Sequence, residues 1–162
     1  MLMMGADITL ENERVVCGEP VADVHVRHTT LRGIDIDQSL VPLAIDEFPI
    51  ICVAAVCAEG ETRISGAQEL RHKESDRIAA MAAGLTALGA DLEESDDGLL
   101  IRRSSFSGGE VDSFGDHRIA MAFAIAGLFA EGETTIRNIE CIDTSYPGFA
   151  KDLERIRERR RR

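Results

Sequence analysis

Residues 57–81 read CAEGETRISGAQELRHKESDRIAAM, and residues 129–153 read FAEGETTIRNIECIDTSYPGFAKDL. The two stretches superpose at a constant shift of 72 residues without a gap, and AEGET is identical in both. Ile64 meets Ile136, but Glu69 and Ser75 meet Cys141 and Pro147, so the likeness fades downstream. Self-similarity at a fixed period indicates one supersecondary unit used twice. Each copy predicts an apolar helix (about 49–58 and 118–130) ending at Glu-Gly, with Gly60 and Gly132 as left-handed caps. A β-branched strand follows, TRIS or TTIRNI, and then a polar loop that leads into a second helix. Ile78, Met81, Leu85 and Leu88 recur on one face of that helix, as do Phe149, Leu153 and Ile156 in the other copy.

After the second helix of the first copy, LGADLEESDDGLLIRR (88–103) reads as a helix end, a strand, a turn at Asp97-Gly98 and another strand. The opening MGADITLENERVVCGEP echoes it, with Met4 to Ile8 matching Leu88 to Leu92. The first residues therefore read as the last turn of a helix whose beginning is missing, and we expect the chain to be cut inside a preceding copy. The expected class is α/β (α+β), repeated βαβαββ units with helices packed against small mixed sheets. The body, 1–153, divides into 1–42 as a remnant, 43–111 as one unit and 112–153 as the last unit. An arginine-rich tail, 154–162, is expected to be disordered.

A chain of 162 residues, 44% apolar, fits one domain with a proper core. Phe48 to Ala58 and Ile119 to Ala130 read as too short and alanine-rich to span a bilayer, so the expectation is a soluble, cytoplasmic protein without membrane contact. Four cysteines at 17, 52, 57 and 141 form no CxxC pair and read as reduced core thiols. The net charge is −11, and the tail holds six arginines and two glutamates, leaving −15 on the rest. That field argues against nucleic acid as a general partner, and an RNA-binding role would rest on the tail alone. An anionic ligand would need a few local cations to overcome it.

Three charged clusters fall at loop-to-helix junctions. In Asp46-Glu47-Phe48-Pro49, Asp46 either caps a helix whose first turn takes Pro49 or serves catalysis. In LRHKESDRI (70–78), Ser75 or Asp76 caps a helix starting near Arg77, and free backbone N–H groups stand beside Lys73 and Arg77. Arg77 suits a carboxylate, Lys73 a point-charge or proton-handling role, and Glu74 an acid/base role. In GDHRIAMAF (115–123), Asp116 caps, while His117 is either a histidine bonded to that cap or a ligand contact. Arg118 and Arg77 both sit at helix amino termini, where the dipole disfavours cations, so each needs an anion. A shared anionic ligand would explain both.

LRHKESDRI, GDHRIAMAF, DEFP and TSYPGF, at these separations, resemble the carboxy-terminal part of the 5-enolpyruvylshikimate-3-phosphate synthases (3-phosphoshikimate 1-carboxyvinyltransferases) from about Gly5 to Leu153. The resemblance implies transfer of the enolpyruvyl group of phosphoenolpyruvate to the 5-hydroxyl of shikimate 3-phosphate, without metal or organic cofactor. It implies that Asp46 contacts the shikimate hydroxyls and is a candidate base. Lys73 and Glu74 would stand at the reacting hydroxyl and the phosphoenolpyruvate methylene, with Glu74 the proton donor or acceptor. Arg77, His117 and Arg118 would hold phosphoenolpyruvate, where the herbicide glyphosate competes.

His72 stands where the pattern often has an apolar residue, and Thr144-Ser145 stands where some members have a lysine. The family's shikimate-phosphate contacts come mainly from an amino-terminal domain, so this chain is expected to be inactive alone and prone to self-association. A UDP-N-acetylglucosamine enolpyruvyl transferase-like fragment and a non-catalytic binding or assembly module of the same fold are the alternatives.

Overall fold

The computed structural model describes residues 1–159 of the 162. A 3-10 turn at Leu2–Met4 ends at Gly5, whose φ of 83° is left-handed, and leads into strand β1 (Asp7–Val16). A tight turn joins β1 to β2 (Glu19–Arg27), with Cys17 and Gly18 at φ 53° and 87°, and the two strands pair antiparallel. The expected helix end is therefore present as a short turn.

Residues 38–57 form one broken helical run. A 3-10 turn at Gln38–Leu40 passes into α1 (Val41–Ala44), another 3-10 turn (Ile45–Glu47) and α2 (Phe48–Cys57). Joined end to end, residues 38–57 are long and apolar enough, by length and composition alone, to cross a membrane, although Phe48 to Ala58 by itself is too short. Here Phe48, Cys52, Val53 and Val56 are buried in the core, where apolar helix surface belongs.

Strand β3 (Glu61–Ile64) follows, then a 3-10 turn at Gln68–His72, α3 (Arg77–Ala87), β4 (Asp91–Ser95) and β5 (Gly98–Arg102). The sheet order is β3-β5-β4, antiparallel throughout. Residues 32 and 35 add isolated parallel bridges to Glu59 and Arg63. Ile78, Met81, Leu85 and Leu88 are all buried, as their spacing requires.

The second copy comprises β6 (Ser107–Asp112), α4 (His117–Ala126), β7 (Glu131–Arg137), α5 (Ile142–Ser145) and α6 (Phe149–Arg159). β6 and β7 pair in parallel as a two-stranded sheet. The core lies between α2, α3, α4 and the inner faces of these sheets. Gly84 lets α3 approach α4 closely, since a Cβ there would lie 2.0 Å from the Phe123 ring.

Four sequence expectations change. The helix expected over 118–130 ends at Ala126, and Gly132, at φ 102°, lies inside β7 instead of capping it. The β4–β5 turn is Asp96-Asp97, because Ser95 pairs with Gly98. Cys17 is exposed at its turn, whereas Cys52 is a core thiol that burial pushes up to about 12. Finally, residues 154–159 continue α6, where an ion pair from Arg155 to Asp152 supports the turn; residues 160–162 lie outside the described residues.

Candidate functional site

Three helices aim their amino termini at one place. Asp116 caps α4, its Oδ1 accepting from the backbone N–H of Arg118 at 2.9 Å and of Ile119 at 3.4 Å. Asp76 caps α3, accepting from the N–H of Ala79 at 2.9 Å. Both caps were legible from residue type. Asp46 is different: α2 follows Glu47 without a side-chain cap, with Pro49 in its first turn. The Asp46 carboxylate is drawn away from the helix end by two arginines.

Arg77 is at the centre. Its side chain is 1% exposed, and three carboxylates surround it. Nε donates to Asp116 Oδ2 at 2.8 Å, Nη1 to Asp46 Oδ1 at 3.0 Å and Nη2 to Glu74 Oε2 at 2.6 Å. Asp116 is itself fully buried, and Ser75 Oγ donates to the same Oδ2 at 3.2 Å. The two carboxylate oxygens of Asp116 thus do separate jobs, one holding the start of α4 and the other holding the guanidinium of α3. A planar fork with several donors can satisfy such a set, where an ammonium could not.

Arg118 projects from the first turn of α4 toward the same carboxylate. Its Nη2 lies 3.4 Å from Asp46 Oδ2, and its Nη1 donates to the Asp46 carbonyl at 2.9 Å and to Glu47 Oε1 at 3.3 Å. Its side chain keeps 32% of its surface open. The two arginines that the dipole rule marks as misplaced do converge, but the anion between them is the protein's own Asp46. The sequence argument expected an external one. It could not foresee that 31 and 72 residues of separation would be closed by the fold.

The electrostatics follow from these contacts. The Arg77 hydrogen bond is the main reason that the Asp46 carboxyl lies below its ordinary 3.8; partial burial opposes it, and Arg118 and then Lys73 add weaker attraction. At Asp116, burial pushes upward, and Arg77 with the helix N–H groups outweighs it, so this carboxyl is also lowered. Burial alone would lower Arg77, yet its carboxylate partners raise it. All three groups are therefore charged at neutral pH.

Lys73 and Glu74, adjacent in sequence, part company. Lys73 Nζ pairs with Glu69 at 3.1 Å, while the exposed Glu74 turns to Arg77. Lys73 is still close enough for its charge to reach Asp46. His117 is half-buried and makes no hydrogen bond to Asp116 among the described residues, whose carboxylate instead takes Ser75, Arg77 and the N–H groups of Arg118 and Ile119. Thr144 closes its own turn, donating to the Cys141 carbonyl at 2.6 Å.

Sequence reasoning missed Arg71. This residue clamps the loop carrying Lys73 and Glu74, pairing with Asp76 at 2.8 Å and Glu94 at 2.9 Å and donating to the carbonyls of Ser95 and Asp96. Its position beside a cluster of charges gave no signal, since all of these partners except Asp76 come from β4 and the turn after it. A groove of about 230 Å³ opens beside Arg118, lined by Asp46, Pro49, Ile50, Met121 and Phe149.

The sequence profile of the EPSP synthase (3-phosphoshikimate 1-carboxyvinyltransferase) family matches residues 1–153. The 3-phosphoshikimate 1-carboxyvinyltransferase of Legionella pneumophila (strain Lens) is 58% identical over 90% of this chain. That of Roseiflexus castenholzii is 54% identical over 96%. The chain spans 34% of the length of the first and 36% of the second. Among solved structures, an EPSP synthase from Acinetobacter baumannii superposes with a TM-score of 0.92 at 49% identity, covering 95% of this chain and 37% of that one. The enolpyruvyl transferase NikO from Streptomyces tendae, at 22% identity and a TM-score of 0.66 over 94% of this chain and 32% of its own, shares the fold.

Proposed function

Since the chain belongs to the EPSP synthase (3-phosphoshikimate 1-carboxyvinyltransferase) family, we propose that the junction of α2, α3 and α4 is the part of the enolpyruvyl transfer site that receives phosphoenolpyruvate. The supporting observation is the shared carboxylate: two guanidinium groups already grip one carboxylate of their own chain, so an incoming carboxylate or phosphate meets a seat shaped for it.

The geometry divides the labour. Arg77 is buried and locked by Asp116, so it is a fixed positive post. Arg118, partly open and held at 3.4 Å from the Asp46 carboxylate, is the cation that exchanges its partner for the ligand. Displacing Asp46 from Arg118 removes one of the attractions that lower its carboxyl, which makes it a better proton acceptor for the attacking hydroxyl. Glu74, with 52% of its side chain exposed, is the acid/base for the methylene carbon, and Lys73 supports the developing charge. His117 flanks the same first turn of α4.

The reaction protonates a vinyl carbon, forms a ketal by hydroxyl attack and expels phosphate. It needs a carboxyl acid, a base and clustered cations, which this junction has. Shikimate 3-phosphate would be positioned mainly by sequence outside this chain, and full turnover would need both parts to exclude water. The division into 1–42, 43–111 and 112–153, with its last boundary moved back so that β6 (Ser107–Asp112) opens the last unit, and a cytoplasmic setting belong to the same reading.

The test supplies in trans the portion of the Legionella relative that this chain does not match, and measures phosphate release from phosphoenolpyruvate and shikimate 3-phosphate. Turnover is expected with the wild-type chain and its loss with Glu74→Gln. If the mixture binds both substrates without turnover, the non-catalytic binding-module reading replaces this one.

A further inference from the structure

Residues 72–76 lie between two arginines, and both arginines are clamped. Lys73, Glu74 and Ser75 form a bend that belongs to neither helix nor strand. Downstream of it, Arg77 is held by Asp116, whose other oxygen caps α4. Upstream, Arg71 repeats the device: its Nη1 donates to Asp76 Oδ2 at 2.8 Å, while Asp76 Oδ1 caps α3. Its Nε donates to the Asp96 carbonyl at 2.7 Å, and its Nη2 to the Ser95 carbonyl at 2.6 Å and to Glu94 Oε1 at 2.9 Å. Four acceptors thus surround one planar fork, a set that an ammonium of the same charge cannot match.

The mount on which Arg71 rests is itself fixed. Asp97 Oδ2 accepts from the Gly66 N–H at 2.8 Å, its Oδ1 from Ser95 Oγ at 3.0 Å and its carbonyl from the Ala67 N–H at 2.8 Å. Gly98 lies against the Ile64 carbonyl with no room for a Cβ. The β4–β5 turn is therefore tied to the segment that follows β3, and its carbonyls offer a rigid surface to a guanidinium.

The second copy lacks the whole arrangement. At the shift of 72 residues, Arg71 and Asp76 meet Asp143 and Gly148, and Lys73 and Glu74 meet Ser145 and Tyr146. A clamp needed only to build the repeat would recur with it. This one is present where the charged pair is present and absent where the pair is absent.

We propose that Arg71 is a positioning residue for enolpyruvyl transfer: it fixes the base of the bend so that Lys73 and Glu74 face the reacting atoms, and it touches no substrate itself. The assignment deepens the proposed function and rests on it for the roles of Lys73 and Glu74. A carboxyl and an ammonium on a loose bend would sample many geometries, and a misplacement of about 1 Å costs on the order of a hundredfold in rate.

The test compares Arg71→Ala and Arg71→Lys with Arg102→Ala, each in the full chain supplemented with the portion of the Legionella relative that this chain does not match. Arg102 is the control because it also binds three carboxylates, those of Glu61, Asp91 and Glu93, all on strands outside the bend. The two arginine side chains are 23% and 31% exposed, so the variants should fold by circular dichroism, and Arg71→Lys keeps a cation opposite Asp76. Arg71→Ala should lower kcat about a hundredfold. The KM for phosphoenolpyruvate should stay within about threefold, because Arg77 and Arg118 keep their seats. Arg71→Lys should fall between, and Arg102→Ala should stay near the wild type. In 15N relaxation of the chain alone, backbone order parameters at 73–75 should be about 0.85 in the wild type and in Arg102→Ala, and below about 0.6 in Arg71→Ala. A kcat loss no larger than that of Arg102→Ala, or an effect confined to KM, would overturn the assignment. No turnover by the wild-type mixture refutes the proposed function and with it the catalytic purpose of the clamp. Turnover with order parameters at 73–75 that Arg71→Ala leaves unchanged refutes the clamp alone.

Discussion

Asp116 shows how much can rest on one side chain. It is fully buried, caps α4 with one oxygen and balances Arg77 with the other. Asn at this position keeps a cap acceptor but removes the charge, leaving a buried guanidinium with one partner fewer. Breaking a buried pair from one side costs about 3–5 kcal/mol, and we expect Asp116→Asn to fall near the lower end because Asp46 and Glu74 remain. Urea denaturation measures it. The same residue sets an acid limit. Its folded-state carboxyl lies below the ordinary 3.8, so its stabilisation is complete above that value and is lost as pH falls through the lower folded-state value. Wild-type stability should therefore drop in that acid window, and Asp116→Asn should show a shallower drop there. Equal slopes for the two proteins would assign the acid limit to other carboxylates.

Among the elements, what was readable from sequence was what is local. The start of α3 at an Asp cap, the buried face Ile78–Met81–Leu85–Leu88 and the left-handed Gly60 all follow from neighbours within a few residues. The carboxylate contacts of Arg77 with Asp46 and Asp116 span 31 and 39 residues, and no periodicity encodes them. The family resemblance singled out these residues, but their resting partners had to come from the fold. Gly98 is a second case. It reads as a turn glycine, yet it is the first residue of β5, and a Cβ there would lie 1.9 Å from the Ile64 carbonyl oxygen. Since that atom is backbone and cannot rotate away, Gly98→Ala should destabilise by about 3 kcal/mol, the upper range for overpacking. Gly18, at φ 87° with nothing within 4 Å of a Cβ, should cost only about 1 kcal/mol as Ala, for the left-handed backbone. Thermal melts of the pair separate strand packing from turn strain; equal losses would mean that β5 shifts freely against β3.

At the scale of the whole molecule, an acidic body surrounds a small cationic seat. Outside the arginine-rich end the chain carries −15, a field that repels anionic metabolites at long range and is screened within about 8 Å at physiological salt. Attraction must come from Arg118, Lys73 and the three converging helix ends at short range. In the proposed function, the internal Asp46 anion keeps that seat neutralised until a competitor arrives. The most direct test labels the arginine side chains with 15N and follows them by NMR as phosphoenolpyruvate is added, with inorganic phosphate as a second ligand. The account predicts a saturable shift of the Arg118 guanidinium, a smaller one at Arg77 and an upward movement of the Asp46 titration midpoint as its carboxylate is displaced. Binding that leaves the Arg118 signals and the Asp46 midpoint unmoved, or no binding of either anion, would contradict it.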